Sequence, residues 1–384
     1  MIVINDKKDC CGCCACINVC PVQAVTMFKD NEGFEYPAVD AGKCINCEKC
    51  QKVCPIGNSN NISCTEIPKS YAAINKDEKI RKKSSSGGIF TLLAENIISE
   101  NGIVYGVAMS EDCRKAEYIA VNEIYKLNRL RGSKYLQCSA GNVYLKVQED
   151  LQNNKKVLFT GTPCQVEALL SFLGKEYEQL ICMDFICHGT PSPMIWEKYV
   201  DFHENESSII KEVSFRNKNF GWKNYAINLK FADGKVYNKA HFIDSFMKAF
   251  LNNSALRPSC YKCAFKKLSR TSDITVADFW GINKVMPEMD DNNGTSLVIL
   301  HSRKGIKIFE KLKDKMLYAE TVLEDALKYN PAMRKSAEPN ANRQHFFDNL
   351  DKLDFDILVS KYAKPKFKIK RIIKRLLYSV IKNH

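Results

Sequence analysis

The sequence has no apolar run long enough to cross a membrane. A membrane-spanning helix needs about 18 or more consecutive apolar residues, and no hydrophobic segment of the 384-residue chain approaches that length. The opening stretch, Met1-Ile-Val-Ile-Asn-Asp-Lys-Lys, also lacks the hydrophobic region and cleavage site of a secretory signal peptide. We therefore expect a cytoplasmic protein.

Acidic residues are absent from the last 24 positions, although the whole chain contains 44 of them. Residues 361–384 hold nine Lys or Arg, which leaves only +4 of the net charge of +13 for the other 360 residues. The basic charge therefore belongs to a tail. This distribution argues against a phosphate-binding surface spread across the folded body, and we expect no nucleic-acid partner.

The basic tail has the pattern of an amphipathic helix between residues 364 and 382. Its apolar side chains form one helical stripe: Ile369, Ile372, Ile373, Leu376, Leu377, Val380 and Ile381. Lys and Arg cover much of the remaining surface, which is typical of a helix lying on an anionic membrane surface, here the inner face. Docking of this helix on the body or on a partner explains the pattern equally well.

Cysteine is abundant, with 18 residues in the chain. Small secreted domains use dense cysteine for disulfides, but this chain is neither small nor predicted to be secreted. In a reducing compartment, cysteine at such density more often binds metal.

Eight of the cysteines form two runs that read C-x2-C-x2-C-x3-C-P, the second repeating the first 34 residues later. A 4Fe–4S cluster needs four thiolates, and in two-cluster ferredoxins the fourth cysteine of each run binds the other cluster. We predict that the first cluster is held by Cys10, Cys13, Cys16 and Cys54. The second is predicted to be held by Cys20, Cys44, Cys47 and Cys50.

Zinc is the main alternative for these runs. Zinc sites use paired CxxC motifs and seldom three cysteines at two-residue gaps followed by Cys-Pro, so the spacing favours clusters. Cys11 and Cys14 fit neither ligand set and are interpreted as neighbours of the clusters. Between the runs, the pattern at residues 24–39 predicts a hairpin turned at Asp30-Asn-Glu-Gly33.

Strand and helix patterns alternate in the following region, residues 69–340. Strands are predicted at 103–108, 156–160 and 180–186, with helices at 140–151 and 165–173. Strand–helix–strand units usually form a parallel sheet, and ligands collect beyond the carboxyl ends of its strands. A hairpin turned at Asp233-Gly234 is added to this α/β region.

Four further cysteines fall where this sheet would bind a ligand. Cys164 follows one predicted strand and Cys187 follows the next, while Cys260 and Cys263 form a CxxC pair in a loop. Together they could hold a third 4Fe–4S cluster. Cys164 could instead be a reactive thiolate at a helix start, and the CxxC pair could bind zinc or nothing. Four cysteines have no partner at ligand spacing and are predicted to pack in the core: Cys64, Cys113, Cys138 and Cys182.

Two polar loops and one histidine are weaker candidates. Residues 84–88 read Ser-Ser-Ser-Gly-Gly before a predicted helix, which suits a phosphate or a simple helix cap. Arg131-Gly-Ser-Lys-Tyr135 offers a cation, a hydroxyl and an aromatic ring. His188 could transfer a proton or serve as a hydrogen-bonded structural residue.

These motifs, taken in order, resemble the beta subunit family of coenzyme F420 hydrogenase/dehydrogenase over residues 10–362. The resemblance is carried by the Cys-Pro runs and by six segments: 86–88, 131–135, 161–165, 187–192, 257–263 and 272–281. It implies a flavin, FAD or FMN, beside an iron–sulfur cluster, and it favours the third cluster. The residues that would line the flavin are Ser86, Gly87, Gly88, Ser133, Lys134, Tyr135 and Thr162.

The prediction is a two-cluster ferredoxin domain at 1–60, an α/β flavin domain at 69–340 and a helical tail at 341–384. Such a protein would pass electrons between its clusters and the flavin, which would exchange a hydride with a small molecule, either coenzyme F420 or a polysaccharide-pathway metabolite. A ferredoxin or a redox subunit would be its protein partner. The main alternative is a non-catalytic subunit that wires a partner enzyme, and a third is a metal-stabilised scaffold.

Overall fold

The computed structural model describes residues 1–57 and 68–364. Cys64 and the predicted basic helix after residue 364 lie outside the described residues. Within the described ranges, no helix combines the length and the apolarity needed to cross a membrane.

A ferredoxin-like region occupies residues 1–57. It contains two strands and two short helices: α1 Ala15–Asn18, β1 Val25–Lys29, β2 Glu35–Val39 and α2 Lys49–Lys52. The strands form the predicted antiparallel hairpin, in which Val25 pairs with Val39. The carboxylate of Asp30 accepts the backbone N–H groups of Glu32 and Phe34, which closes the turn. Helices α1 and α2 contact each other, so the two halves of the repeat pack side by side.

The rest of the described chain is an α/β region. Its strands are β3 Lys69–Asn75, β4 Ile103–Met109, β5 Ala116–Val121, β6 Cys138–Ser139, β7 Val157–Thr160, β8 Leu180–Phe185, β9 Ile210–Asn217, β10 Ala226–Phe231, β11 Val236–Ala240, β12 Ile274–Asp278, β13 Ser296–Leu300 and β14 Met316–Thr321. Its helices are α3 Glu78–Lys83, α4 Ile89–Ser99, α5 Val143–Gln152, α6 Pro163–Leu173, α7 Pro193–His203, α8 Ser245–Leu251, α9 Ile282–Val285, α10 Arg303–Lys311, α11 Leu323–Leu327, α12 Arg343–Asp348 and α13 Phe355–Tyr362.

Nine strands form one mixed sheet in the order β14-β3-β13-β12-β8-β7-β4-β5-β6. The central strands β4, β7 and β8 run parallel, as the alternating pattern predicted, and β12 joins them parallel to β8. Antiparallel strands extend this centre on both flanks. The extension was not predicted, because the pairing of β3 with β13 and β14 joins segments more than 200 residues apart.

A second, three-stranded sheet consists of β9, β10 and β11. Its β10–β11 pair is the predicted hairpin turned at residues 233–234. This sheet shares a core with α7, α8, α12 and α13 through large buried side chains: Trp196, Phe215, Phe246, Phe346 and Leu358. The described part of the predicted tail is therefore packed against the body.

The parallel pairing of β7 with β8 sets the position of the candidate site. Thr160 lies opposite Met183, so both strands end at the same edge of the sheet. Helix α6 begins directly after β7, with Pro163 in its first turn. Ligands of α/β sheets bind at such carboxyl edges, and the segments that follow β7 and β8 carry Cys164 and Cys187.

Candidate functional site

The first predicted quartet surrounds the start of α1. Burial raises the pKa of the Cys16 thiol, and the nearby thiolates of Cys13, Cys10, Cys14 and Cys54 raise it further, so the sulfurs of the predicted quartet lie near one another with Cys14 beside them. Cys54 comes from the second run. Its proximity to Cys16 fits the predicted exchange of the fourth cysteine, which stays a prediction.

The second quartet also gathers within the ferredoxin-like region. Cys20, Cys44, Cys47 and Cys50 line one small depression. Cys50 is buried, whereas Cys47 is exposed. This quartet is the one closer to solvent.

The two loops that would wrap the clusters share an unusual backbone. Gly12 and Cys14 have φ of +67° and +65°, and the residues 34 positions later, Asn46 and Glu48, have φ of +55° and +59°. Alternation of left- and right-handed residues turns successive N–H groups toward a common point and forms a concave anion-binding site of the kind found around iron–sulfur clusters. Both loops therefore fit an anionic cluster.

The third quartet gathers at the carboxyl edge of the sheet. Cys164 lies in the first turn of α6, and Cys187 follows β8. Cys260 lies within the 3-10 helix Pro258–Lys262, and Cys263 directly follows that helix. Burial raises the pKa of Cys187 and of Cys260 to about 12, with a further contribution from the charges of Cys164 and Cys263. The two cysteines at the strand ends and the two of the CxxC pair are thus brought near one another.

Within residues 1–57 and 68–364, no three Cys, His, Asp or Glu side chains converge as ligands of one metal ion would. A zinc site holds its sulfurs about 2.3 Å from one centre. A 4Fe–4S cluster instead takes one thiolate on each of four irons, so its ligands stand farther apart.

Cys11 connects the first quartet with the third. Hydrogen bonds with the sulfurs of Cys13 and Cys164 raise the pKa of the Cys11 thiol. The same contact lowers the pKa of Cys164 to about 7. Sequence spacing identified Cys11 only as a neighbour of the clusters, whereas the structure places it between two of the three quartets.

The ferredoxin-like region is docked on the α/β region through hydrogen bonds to its backbone. Tyr144 donates its hydroxyl to the carbonyl of Cys13 at 2.8 Å, and Ser171 donates to the carbonyl of Val53 at 2.9 Å. Glu32, at the hairpin turn, accepts two hydrogen bonds from the guanidinium of Arg343 in α12, at 2.8 and 2.6 Å. The first quartet is therefore held against the body.

A cavity of about 1440 Å³ opens beside the third quartet. Its wall includes Cys11, Cys164 and Cys187 together with six of the seven residues predicted for the flavin: Ser86, Gly88, Ser133, Lys134, Tyr135 and Thr162. Ligand cavities in proteins usually measure roughly 300–1,000 Å³. The cavity therefore has room for a ligand as large as a dinucleotide.

Gly87 is the exception among the predicted lining residues. It packs under the cavity wall, where a Cβ atom would lie 2.4 Å from the carbonyl oxygen of Ala73 and 2.8 Å from the backbone nitrogen of Ser296. Its role is to allow close approach of the 84–88 loop to β3 and β13. Gly87 does not lie in the cavity wall, and its place in the flavin site stays a prediction.

The predicted loops form the cavity wall through contacts with each other. The hydroxyl of Ser85 accepts the backbone N–H of Ser133 at 2.9 Å, which joins the 84–88 and 131–135 loops. Lys134 donates its ammonium to the carbonyls of Arg129, Leu130 and Arg131, each at 3.0 Å. Lys134 therefore stabilises its loop, and its charge is directed at that backbone.

Helix α4 begins at the cavity without a side-chain cap. Gly88, at its N-cap with φ of +86°, provides no capping hydrogen bond. The first N–H groups of a helix have no partner within the helix, and together with the helix dipole they attract an anion such as a phosphate. This end of the cavity fits the phosphate part of a nucleotide cofactor.

His188 lies in the cavity wall next to Cys187. Its Nε2 is 2.7 Å from Oδ1 of Asn253, whose amide nitrogen donates to the carbonyl of Glu338. That second bond orients the amide, so Nε2 of His188 carries the proton and donates it. Burial lowers the pKa of the ring, which favours the neutral imidazole. The hydrogen-bonded structural role fits these contacts, and the catalytic role stays a prediction.

Several cavity residues were not assigned from the sequence. Arg216 donates to Asp278 at 2.8 Å, and its guanidinium carbon lies 3.9 Å from the centre of the Tyr225 ring. Trp222 donates to the same carboxylate at 2.7 Å. Asp278 lies in the 272–281 segment that carries the family resemblance, but Arg216 lies within β9 of the other sheet, where no sequence signal pointed to the cavity.

Comparison with known proteins supports this division of the chain. Residues 9–58 match the model of a 4Fe–4S dicluster domain. Residues 70–145 and 154–325 match the N-terminal and C-terminal models of the coenzyme F420 hydrogenase/dehydrogenase beta subunit.

Individual relatives match different parts of the chain. A subunit of the F420H2 dehydrogenase of Methanosarcina mazei is 22% identical over 326 residues, covering 80% of this chain and 83% of its own. An uncharacterised ferredoxin of Methanocaldococcus jannaschii is 40% identical over 53 residues, which is 14% of this chain and 68% of the ferredoxin.

Among solved structures, a chain of the F420-reducing [NiFe] hydrogenase complex from Methanosarcina barkeri aligns with a TM-score of 0.46 and 17% identity, covering 68% of this chain and 89% of that one. The two matched halves of the α/β region and the dicluster segment before them lead to one conclusion: the chain belongs to the coenzyme F420 hydrogenase/dehydrogenase beta subunit family and carries an N-terminal 4Fe–4S ferredoxin domain.

Proposed function

We propose that this protein is an iron–sulfur flavoprotein oxidoreductase with three 4Fe–4S clusters and one flavin. The observation that carries the proposal is the shared wall of the cavity, where Cys164 and Cys187 of the third quartet lie beside the Ser86 and Ser133 loops. When bound, the clusters would carry single electrons and the flavin would collect two of them for hydride exchange with a small molecule.

The burial of the three quartets suggests the order in which the clusters lie along a path for electron transfer. The second quartet includes the exposed Cys47, so it is the one that a ferredoxin or another redox protein could approach. The first quartet is covered by the body, and Cys11 separates it from the third. The third borders the cavity. This order links a protein surface to a ligand site, whichever way electrons flow.

The proposed flavin site uses the residues of the cavity in distinct ways. The uncapped start of α4, with Ser86 and Gly88, would hold the phosphates. Ser133, Tyr135 and Thr162 would contact the rest of the cofactor, with Lys134 stabilising its loop from behind. The name of the Methanosarcina mazei relative supports coenzyme F420, as hydride donor or acceptor, as one substrate to test. A polysaccharide-pathway metabolite is the other class.

Cofactor analysis of two cysteine variants tests the proposal. The wild-type protein, purified anaerobically, should contain about twelve irons per chain and one extractable flavin, because each cluster holds four irons. A Cys260→Ala/Cys263→Ala variant should fall to about eight irons. Cys182→Ala, a buried cysteine of β8 in the same region, should keep about twelve. About eight irons in the wild type, or no flavin, would refute the proposal.

A non-catalytic electron-transfer subunit is the second candidate, favoured by the exposure of Cys47 and by a relative that is named as a subunit. Turnover by the isolated chain separates the two. After reduction with dithionite, an enzyme would reoxidise its flavin on addition of coenzyme F420 or another small acceptor. A non-catalytic electron-transfer subunit would reoxidise its flavin only after a redox protein is added.

A further inference from the structure

Arg257 is a buried cation that touches the loops of two quartets. It directly precedes the 3-10 helix Pro258–Lys262, which carries Cys260. The carbonyl of Arg257 accepts the N–H of Cys260 at 2.9 Å, and its own N–H donates to the carbonyl of Thr190 at 2.9 Å. Its backbone is therefore part of the third quartet's loop.

The side chain of Arg257 reaches into the ferredoxin-like region. Its Nε donates to the carbonyl of Cys10 at 2.8 Å, and its Nη2 donates to the carbonyl of Glu35 at 2.8 Å. The same Nη2 lies 3.5 Å from the sulfur of Cys10. The remaining nitrogen, Nη1, donates to the amide oxygen of Gln137 at 3.1 Å. The guanidinium thus contacts both the backbone and the sulfur of a first-quartet cysteine.

The charge of Arg257 has no carboxylate among these partners. The residue is only 1% exposed, and its acceptors are two backbone carbonyls, one amide oxygen and one sulfur. The rings of Tyr36 and Phe34, with centroids 4.4 and 5.5 Å away, provide a weaker electrostatic partner. A buried charge without a counter-ion is strongly destabilising. A thiolate-bound cluster in the first quartet would supply that negative charge.

We propose that Arg257 is the positioning residue that joins the first cluster to the third and raises the reduction potential of the first. The inference rests on the proposed function, because it needs both clusters. Reduction adds one electron to an already anionic group without forming or breaking a bond. A nearby cation and an N–H···S hydrogen bond stabilise the more negative, reduced form, and charge and hydrogen bonds to sulfur set the potentials of such clusters.

Redox titration of the anaerobically purified full chain, followed by electron paramagnetic resonance, tests this role. A Cys47→Ser variant assigns the signals, because it perturbs the second quartet only. Arg257→Gln should shift the potential of the first cluster to a more negative value and leave that of the second unchanged. Arg257→Lys keeps a positive charge but cannot make all four hydrogen bonds, so its shift should be smaller and in the same direction.

Lys7→Gln is the matched control. Lys7 lies three positions before Cys10 and is a half-exposed cation paired with Asp30, so solvent and that carboxylate screen its charge and its loss should leave the first potential unchanged. A first-cluster potential in Arg257→Gln equal to that of the wild type would overturn the inference. If Arg257→Gln fails to assemble clusters, an unshifted potential in Arg257→Lys overturns it instead. The absence of any cluster signal in the wild type would refute the proposed function, which is a separate outcome.

Discussion

Glu32→Gln breaks the buried ion pair that joins the hairpin of the ferredoxin-like region to α12. Glu32 and Arg343 are 311 positions apart in the chain, and their bidentate contact exists only while the two regions are docked. Their side chains are 10% and 15% exposed, respectively. Glutamine keeps the shape of the side chain and removes its charge, which leaves the guanidinium of Arg343 without a carboxylate partner.

The expected cost follows from burial. Removing one partner of a buried ion pair costs about 3–5 kcal/mol, and the residual exposure of this pair places it near 3 kcal/mol. Because each 1.4 kcal/mol changes an equilibrium constant about tenfold, the undocked population should rise roughly 150-fold. The double variant Glu32→Gln/Arg343→Gln leaves neither charge unpaired. Its undocked population should therefore not exceed that of whichever single variant, Glu32→Gln or Arg343→Gln, undocks more.

Alkylation of Cys14 measures the undocked population. Its thiol is 1% exposed and contacts Ser139 of the α/β region at 3.6 Å, so it is accessible only after the two regions separate. The labelling rate at Cys14, followed by peptide mass mapping, should rise with that population. The cysteines that bind clusters are not needed for this readout.

The Arg334–Glu324 pair provides the control. It is also bidentate, but Glu324 is 64% exposed. Exposed pairs contribute at most about 1 kcal/mol, so Glu324→Gln should leave the labelling of Cys14 unchanged. If the labelling rate of Cys14 in Glu32→Gln is within about threefold of the wild-type rate, the ion pair does not hold the two regions together and this reasoning fails.

Two further substitutions test the close packing of Gly87 under the cavity wall and the effect of the buried His301 on stability. Gly87→Ala should lower the melting temperature, because overpacking costs about 1–3 kcal/mol, whereas Gly57→Ala, with no atom within 4 Å of the new Cβ, should not. Burial lowers the pKa of His301 from 6.5 to about 3, so its contribution to stability is present above pH 6.5 and is lost as the pH falls toward 3. Between pH 7.5 and 5.5 that loss is about 1.4 kcal/mol. Melting curves at the two pH values should show a smaller fall for His301→Gln than for the wild type, and an equal fall would contradict this prediction.

Local signals in the sequence predicted the parts of the fold and site that depend on nearby residues. The hairpin between the cysteine runs and the strands before Cys164 and Cys187 could be predicted from periodicity and turn residues. The parallel pairing of β7 with β8 then brought those two cysteines to one sheet edge. The rule about strand ends selected Cys164 and Cys187, and the CxxC pattern supplied Cys260 and Cys263 for the third quartet.

The remaining features depend on contacts between distant segments, which spacing does not encode. Arg257 reaches Cys10 across 247 positions, and Arg216 reaches the cavity from a different sheet. Cys11 gained its position between two quartets only when the ferredoxin-like region docked. Gly87 was selected by a motif and packs closely against β3 and β13, because the sequence gives no indication of which side of a loop meets the sheet.

The distance along the chain between Glu32 and Arg343 has a consequence for biosynthesis. At about 5–20 residues per second, a ribosome takes roughly 15 to 60 seconds to proceed from the first residue to the second. Until Arg343 is made, the nascent ferredoxin-like region lacks the ion-pair partner of Glu32, so oxygen and chelators can reach cysteines that are later covered. Iron and sulfide delivery during or soon after translation would therefore face less steric obstruction than reconstitution of the folded apoprotein.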